Sequence, residues 1–139
     1  MYTYNIQIRR FFMPVPNLSF TLLFVKNPLD SGSFYSKLLD LHPVEQSPTF
    51  VLFALPNGIM LGLWSRATAR PPVLAEGGGS EICFTEESES KVDEVYSKWL
   101  KLEVPMALTP MAMEGMSRTF VALDPDGHRI RVLCLEEAN

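Results

Sequence analysis

Beside its carboxylates, this 139-residue sequence has two histidines and two cysteines for nucleophilic, general-base or metal chemistry: His42, His128, Cys83 and Cys134. His42 follows a helical segment and His128 sits in a turn, so each reads as a surface or turn histidine. Cys83 and Cys134 lie in apolar, strand-like runs, which suits buried free thiols in a reducing cytosol better than a disulfide. The sequence has no nucleophile elbow, no Cys-x-x-Cys pair and no phosphate-binding glycine loop. Gly77-Gly78-Gly79 lacks a following Lys-Ser/Thr and reads as a flexible linker. A binding surface therefore has to be sought through the elements that would build it.

The length fits one domain with a single sizeable core. Hydrophobic residues make up 47% and charged residues 20%, an ordinary globular composition. A net charge of −4 gives no electrostatic support to a nucleic-acid partner. No apolar run reaches the roughly 20 residues that span a bilayer, so no membrane partner is expected and the cytoplasm is the expected location.

The heptapeptide Tyr35-Ser36-Lys37-Leu38-Leu39-Asp40-Leu41 recurs 61 residues later as Tyr96-Ser97-Lys98-Trp99-Leu100-Lys101-Leu102, identical at five of seven positions. Such a repeat predicts one domain built from two similar halves. Each half reads as strand, helix and three strands. In the first, Leu18–Val25 is a strand and Asn27-Pro28 opens a helix to about Leu39, with Leu29, Phe34, Leu38 and Leu41 inward. Val44–Gln46, Phe50–Leu55 and Ile59–Trp64 follow as strands, the last two joined by the turn Pro56-Asn57-Gly58. In the second, Glu81–Thr85 is a strand, and 86–102 a helix with Val92, Val95, Trp99 and Leu102 inward. A Met-rich loop then spans 110–116, ahead of strands at Thr119–Leu123 and Arg129–Leu133 flanking the turn Asp124-Pro125-Asp126-Gly127. The expected organisation of the single domain 1–139 is an N-terminal extension (1–16), a first module (17–65), a linker (66–79) and a second module (80–135). Met1–Phe12 reads either as an upstream extension, with Met13 a second start, or as an edge strand, because Tyr2–Ile8 alternates at period two.

The two-module pattern, with Ser33-Phe34-Tyr35 and Asp124-Pro125-Asp126-Gly127-His128, resembles the vicinal oxygen chelate superfamily, whose members include glyoxalase I, extradiol dioxygenases and bleomycin-resistance proteins. Within it, Ile59–Ser65 and Arg118–His128 look like the bacterial phenazine-antibiotic resistance type. The resemblance implies an α+β fold of two βαβββ modules forming a curved mixed sheet. Its enzymes hold a divalent metal on the first and last strands of the modules, positions occupied here by Phe20, Gly62, Glu81 and Arg131. Phenylalanine and glycine offer no ligand, and arginine has no lone pair to give. One carboxylate does not make a metal site. No metal and no cofactor are therefore expected.

What this implies is an apolar, aromatic face with one charge pair. Phe20 offers a stacking ring, Gly62 leaves room, and Trp64 lies two residues further on the same strand face. Met113 and Met116, with Met111, would fold over a ligand. Arg131 would meet a ligand carboxylate, or pair internally with Glu81. The function so implied is sequestration of a planar aromatic antibiotic or related metabolite by a homodimer, rather than catalysis. A metal-dependent lyase or oxygenase with atypical ligands is the alternative.

Overall fold

The computed structural model describes residues 15–137, and the two readings of Met1–Phe12 lie outside them. The first module runs β1 (Phe20–Val25), α1 (Pro28–Leu39), β2 (Glu45–Gln46), β3 (Phe50–Ala54) and β4 (Met60–Ser65). The second runs β5 (Glu81–Thr85), α2 (Glu89–Lys101), β6 (Met106–Met113), β7 (Met116–Leu123) and β8 (Arg129–Leu135). The chain is α+β with two similar βαβββ modules. In each, the first strand runs parallel to the last, and the remaining neighbours are antiparallel.

One feature of the expected architecture is corrected. The strands do not make one curved sheet. Among the described residues they form two separate, open sheets of four, in the orders β1-β4-β3-β2 and β5-β8-β7-β6. The reason lies at the free edge of β1, where side chains of the β7–β8 turn take the backbone groups that a continuing ladder would use. Asp126 Oδ1 accepts from the Lys26 N–H at 2.9 Å, and His128 Nε2 lies 2.9 Å from the Phe24 carbonyl oxygen.

Both helices begin where their capping residues dictate. Asn27 Oδ1 accepts from the N–H groups of Leu29 and Asp30, and Ser88 Oγ accepts from that of Lys91. The inward stripe of α1 differs from the expected one. Ser31, Gly32, Tyr35 and Leu38 are buried, whereas Leu29 is 38% exposed. Small residues win these positions because α1 lies close to β3: a Cβ on Gly32 would stand 3.1 Å from Val51 Cγ1. In α2, Val92 and Trp99 are buried as expected, while Leu102 is 40% exposed.

A single apolar core joins the modules, including Leu23, Phe53 and Leu63 from the first and Trp99, Phe120 and Ile130 from the second. Trp99 packs edge-on against Phe120 with ring centroids 5.4 Å apart, and its indole N–H donates to the Leu38 carbonyl at 3.2 Å. Leu38 is the residue equivalent to Trp99 in the heptapeptide repeat, so the two helices meet at matching positions.

The second tie is polar. The buried Tyr35 hydroxyl donates to Asp124 Oδ2 at 2.8 Å, and Asp124 Oδ1 accepts from the N–H groups of Asp126 and His128. Asp124 thus shapes its own turn and holds the first module's helix. Gly77 also packs against this turn, since a Cβ there would stand 2.8 Å from the Asp126 carbonyl oxygen. Gly77 is thus a close approach to this turn, whereas a Cβ on Gly79 would meet nothing within 4 Å. The surplus length of the second module is not a loop: residues 106–123 form the β6–β7 hairpin, with Glu114 and Gly115 at its tip.

Removing the Tyr35 hydroxyl in Tyr35→Phe should cost about 1.5–3 kcal/mol, the usual range for a hydrogen bond to a charged group. Asp124→Ala should cost more, because three donors lose their acceptor; chemical denaturation measures both. Burial, reinforced by Asp124, raises the Tyr35 phenol above its ordinary pKa. The folded state therefore holds the protonated phenol. That stability is present below the unfolded value of about 10 and is lost as pH rises above it, a loss that Tyr35→Phe should lessen.

Candidate ligand-binding site

Paired residues on neighbouring strands share a sheet face, and the registers Phe20↔Met60, Leu22↔Gly62, Phe24↔Trp64 and Phe50↔Trp64 define one. It is the face opposite the buried Leu23, Val25, Leu61 and Leu63. Phe20 and Leu22 are exposed on it at 42% and 38%. Trp64 packs against Phe24 with ring centroids 5.9 Å apart and planes tilted by 38°. The room expected above Gly62 is filled by neighbours. A Cβ there would stand 2.7 Å from Leu22 Cδ2, 2.9 Å from Phe20 Cε1 and 3.1 Å from Phe50 Cζ. These are the outer ends of side chains, so rotating them re-exposes the space.

The corresponding face of the second sheet is ionic. Arg131 reaches Glu81 through two bonds, Nε to Oε1 at 2.7 Å and Nη2 to Oε2 at 3.1 Å. Arg129 Nη2 reaches Glu81 Oε2 at 2.6 Å. The remaining Arg131 nitrogen, Nη1, lies 3.1 Å from Thr119 Oγ1 and 3.9 Å from Met113 Sδ. Every nitrogen of Arg131 thus has a partner within the protein. Its hydrogen bonds hold the Glu81 carboxyl below the usual carboxylate range, and Glu81 in turn raises the Arg131 guanidinium. Cys83, expected to be buried, is exposed on this face, and Cys134 is buried. Partial desolvation of the Cys83 sulfur, with the Glu81 charge beside it, raises the thiol pKa and disfavours a reactive thiolate.

Of the residues singled out in the sequence, Phe20, Gly62 and Trp64 share the first face, and Glu81, Arg131 and Met113 come together on the second. Met113 and Met116 face each other across the hairpin. The two faces adjoin at the seam between modules, where a cleft of about 220 Å³ is bordered by Thr21, Ile59 and Met60 on one side and Glu81, Cys83 and Phe84 on the other. Trp64 is not part of that cleft; it lies at the opposite end of β4 from Met60. His128, read as an ordinary turn residue, ties β8 to β1, and Arg129 beside it was not singled out. The signal for Arg129 was its two-residue spacing from Arg131, which puts both on one strand face.

These donors do not suit a divalent cation. Of the four positions, two have no ligating side chain, Arg131 is a cation, and both oxygens of Glu81 are engaged by arginines. Among the described residues, no three of His, Cys, Asp and Glu converge elsewhere. No helix among them is long and apolar enough to cross a membrane.

The sequence matches the profile of the Glyoxalase/Bleomycin resistance protein/Dioxygenase superfamily over residues 17–132. The chain belongs to this superfamily. A curated member, the phenazine antibiotic resistance protein EhpR of Enterobacter agglomerans, is 30% identical over 123 residues, covering 87% of this chain and 92% of EhpR. Protein ATC0852 of Agrobacterium tumefaciens, solved by solution NMR, is 44% identical over 88% of this chain and 100% of that one, with a TM-score of 0.77. A glyoxalase/bleomycin resistance protein/dioxygenase from Nocardioides shares the fold at 21% identity, with a TM-score of 0.77 over 99% of this chain and 95% of that one. The superfamily's own name spans enzymes and resistance proteins, so membership leaves the activity to be argued from the site.

Because the folded Glu81 carboxyl titrates below its ordinary value, the stability it contributes is present above about pH 4.3 and is lost as pH falls through the folded value. Melting curves between about pH 7 and 3 should show this loss in the wild type. In Glu81→Gln the slope should flatten, at lower overall stability near neutrality, because Arg131 keeps its charge at 9% exposure without a counter-ion.

Proposed function

We propose that this chain is a metal-free binding protein that sequesters a planar aromatic compound of the antibiotic or related-metabolite type. The observation that supports this most is the aromatic face of the first sheet. Phe20, Phe24, Phe50 and Trp64 share that face with Gly62, and Phe20 and Gly62 stand at two of the positions where the superfamily's enzymes would need ligands. Flat rings bind such surfaces by offset stacking, worth about 0.5–1.5 kcal/mol per pair beyond area burial. Phe20, Gly62 and Trp64 form the stacking floor. Met113 and Met116 add adaptable apolar contacts, and the Glu81–Arg131 pair fixes the polar end. The relationship to EhpR favours a phenazine as the first compound to try. Sequestration needs affinity and abundance rather than a catalyst, which agrees with a site without nucleophile or metal ligands.

Phenazine-1-carboxylic acid should quench the tryptophan fluorescence saturably, and a chelator should not change its affinity. Trp64→Ala should weaken binding about ten-fold and Trp64→Phe less, whereas Trp99→Phe, in the core, should leave affinity unchanged. Equal binding by the wild type and Trp64→Ala would place the ligand elsewhere.

The same face is proposed to be covered in part by a second copy of the chain, since Phe20 and Leu22 are large exposed apolar side chains side by side on a sheet. Light scattering at micromolar concentration should give the mass of a dimer, and Phe20→Lys/Leu22→Lys should shift it to that of a monomer.

A further inference from the structure

The two arginines beside Glu81 are not equivalent. Arg131 is 9% exposed and each of its three side-chain nitrogens has a partner. Among the described residues, Arg129 contacts Glu81 Oε2 through Nη2, two-fifths of its side chain is exposed, and its buried Nε finds no partner. Native structures seldom leave such a donor unpaired, and an orphaned one points to a ligand, ion or water. Nor does Glu81 need Arg129, because Arg131 already contacts both carboxylate oxygens. The cluster holds two guanidinium groups and one carboxylate, leaving one positive charge in excess.

Its position gives that charge a use. Glu81, which Arg129 contacts, borders the cleft at the seam, and the other side of that cleft includes Met60, the register partner of Phe20 on the aromatic face. The under-used cation therefore sits on the ionic side of a cleft whose opposite side reaches the Phe20–Met60 end of the aromatic face. We infer that Arg129 is an anion subsite that receives a carboxylate, or a group of like charge and shape, on the planar aromatic ligand. This rests on the proposed binding function. Arg129 turns its guanidinium edge from Glu81 to the incoming carboxylate, for which the fork is the matching two-pronged donor. Arg131 keeps Glu81 neutralised while it does so. The ligand class is thus an aromatic acid rather than a neutral aromatic.

The test compares phenazine-1-carboxylic acid with phenazine-1-carboxamide, nearly the same shape without the charge. The wild type should prefer the acid at least ten-fold in low salt, and the preference should shrink at about 1 M NaCl, where charges are screened within a few ångströms. Arg129→Gln should erase the preference while leaving carboxamide affinity unchanged, and Arg129→Lys should retain part of it. Should Arg129→Gln fail to fold, Arg129→Lys and the salt series decide. An acid preference that survives in Arg129→Gln, or equal weakening of both compounds, overturns the subsite and leaves the aromatic site standing. If the wild type binds neither phenazine, the proposed ligand falls, and the subsite is decided by the Arg129 Nε–H resonance in the full-length protein. A shift of that resonance with 2-naphthoate but not with 2-naphthamide upholds the subsite, and no shift with either overturns it.

Discussion

The buried carboxyl of Asp124 is the interaction on which the rest of this structure depends. It takes the Tyr35 hydroxyl from α1 and two backbone N–H groups from its own turn. A buried polar group without partners is costly, so these donors fix where the first module's helix must lie on the second module. Once that turn is held, Asp126 and His128 reach the end of β1. The sheets are then locked edge to turn rather than fused into one. Helix contact through Trp99 and Leu38 completes the seam.

The seam is unequal at its two ends, although the modules repeat. Leu55-Pro56-Asn57-Gly58 occupies the place in the first module that Asp124-Pro125-Asp126-Gly127 occupies in the second. Leucine cannot accept a hydroxyl, and Tyr96, the counterpart of Tyr35, packs instead edge-on against Phe120 at 5.2 Å. One end is therefore closed by hydrogen bonds. The other is apolar and carries the cleft between Thr21 and Glu81. This asymmetry separates a ring-lined face on the first sheet from a charged face on the second, the combination that a flat ligand with one acidic group requires.

The repeat and the capping residues made most of the fold legible. Asn27-Pro28 starts its helix, and strand alternation gave the shared face of Gly62 and Trp64. Three features were hidden for identifiable reasons. The break between the sheets depends on side chains of Asp126 and His128 capturing β1 from about a hundred residues away, which no local pattern reports. The burial of Ser31 and Gly32 in place of Leu29 follows from the close approach of α1 to Val51, a tertiary distance. The Met-rich segment looked like a loop because Pro110 and Gly115 interrupt it. The ladder tolerates both, since β6 pairs with β7 through several register shifts. At the site, the sequence offered Arg131 either to a ligand carboxylate or to Glu81; it pairs with Glu81, Thr119 and Met113, and among the described residues Arg129 is the less satisfied arginine.

The proposed function places a planar aromatic compound on the ring-lined face of the first sheet, over Gly62. Intermolecular nuclear Overhauser effects between phenazine-1-carboxylic acid and the isotope-labelled protein test this most directly. The account predicts contacts from the ligand's ring protons to the Trp64 indole and the Phe20 and Phe50 rings, with Leu22 displaced from its position over Gly62. Contacts confined to Leu55, Phe84 and other cleft residues, with the Trp64 and Phe20 resonances unmoved, would contradict it.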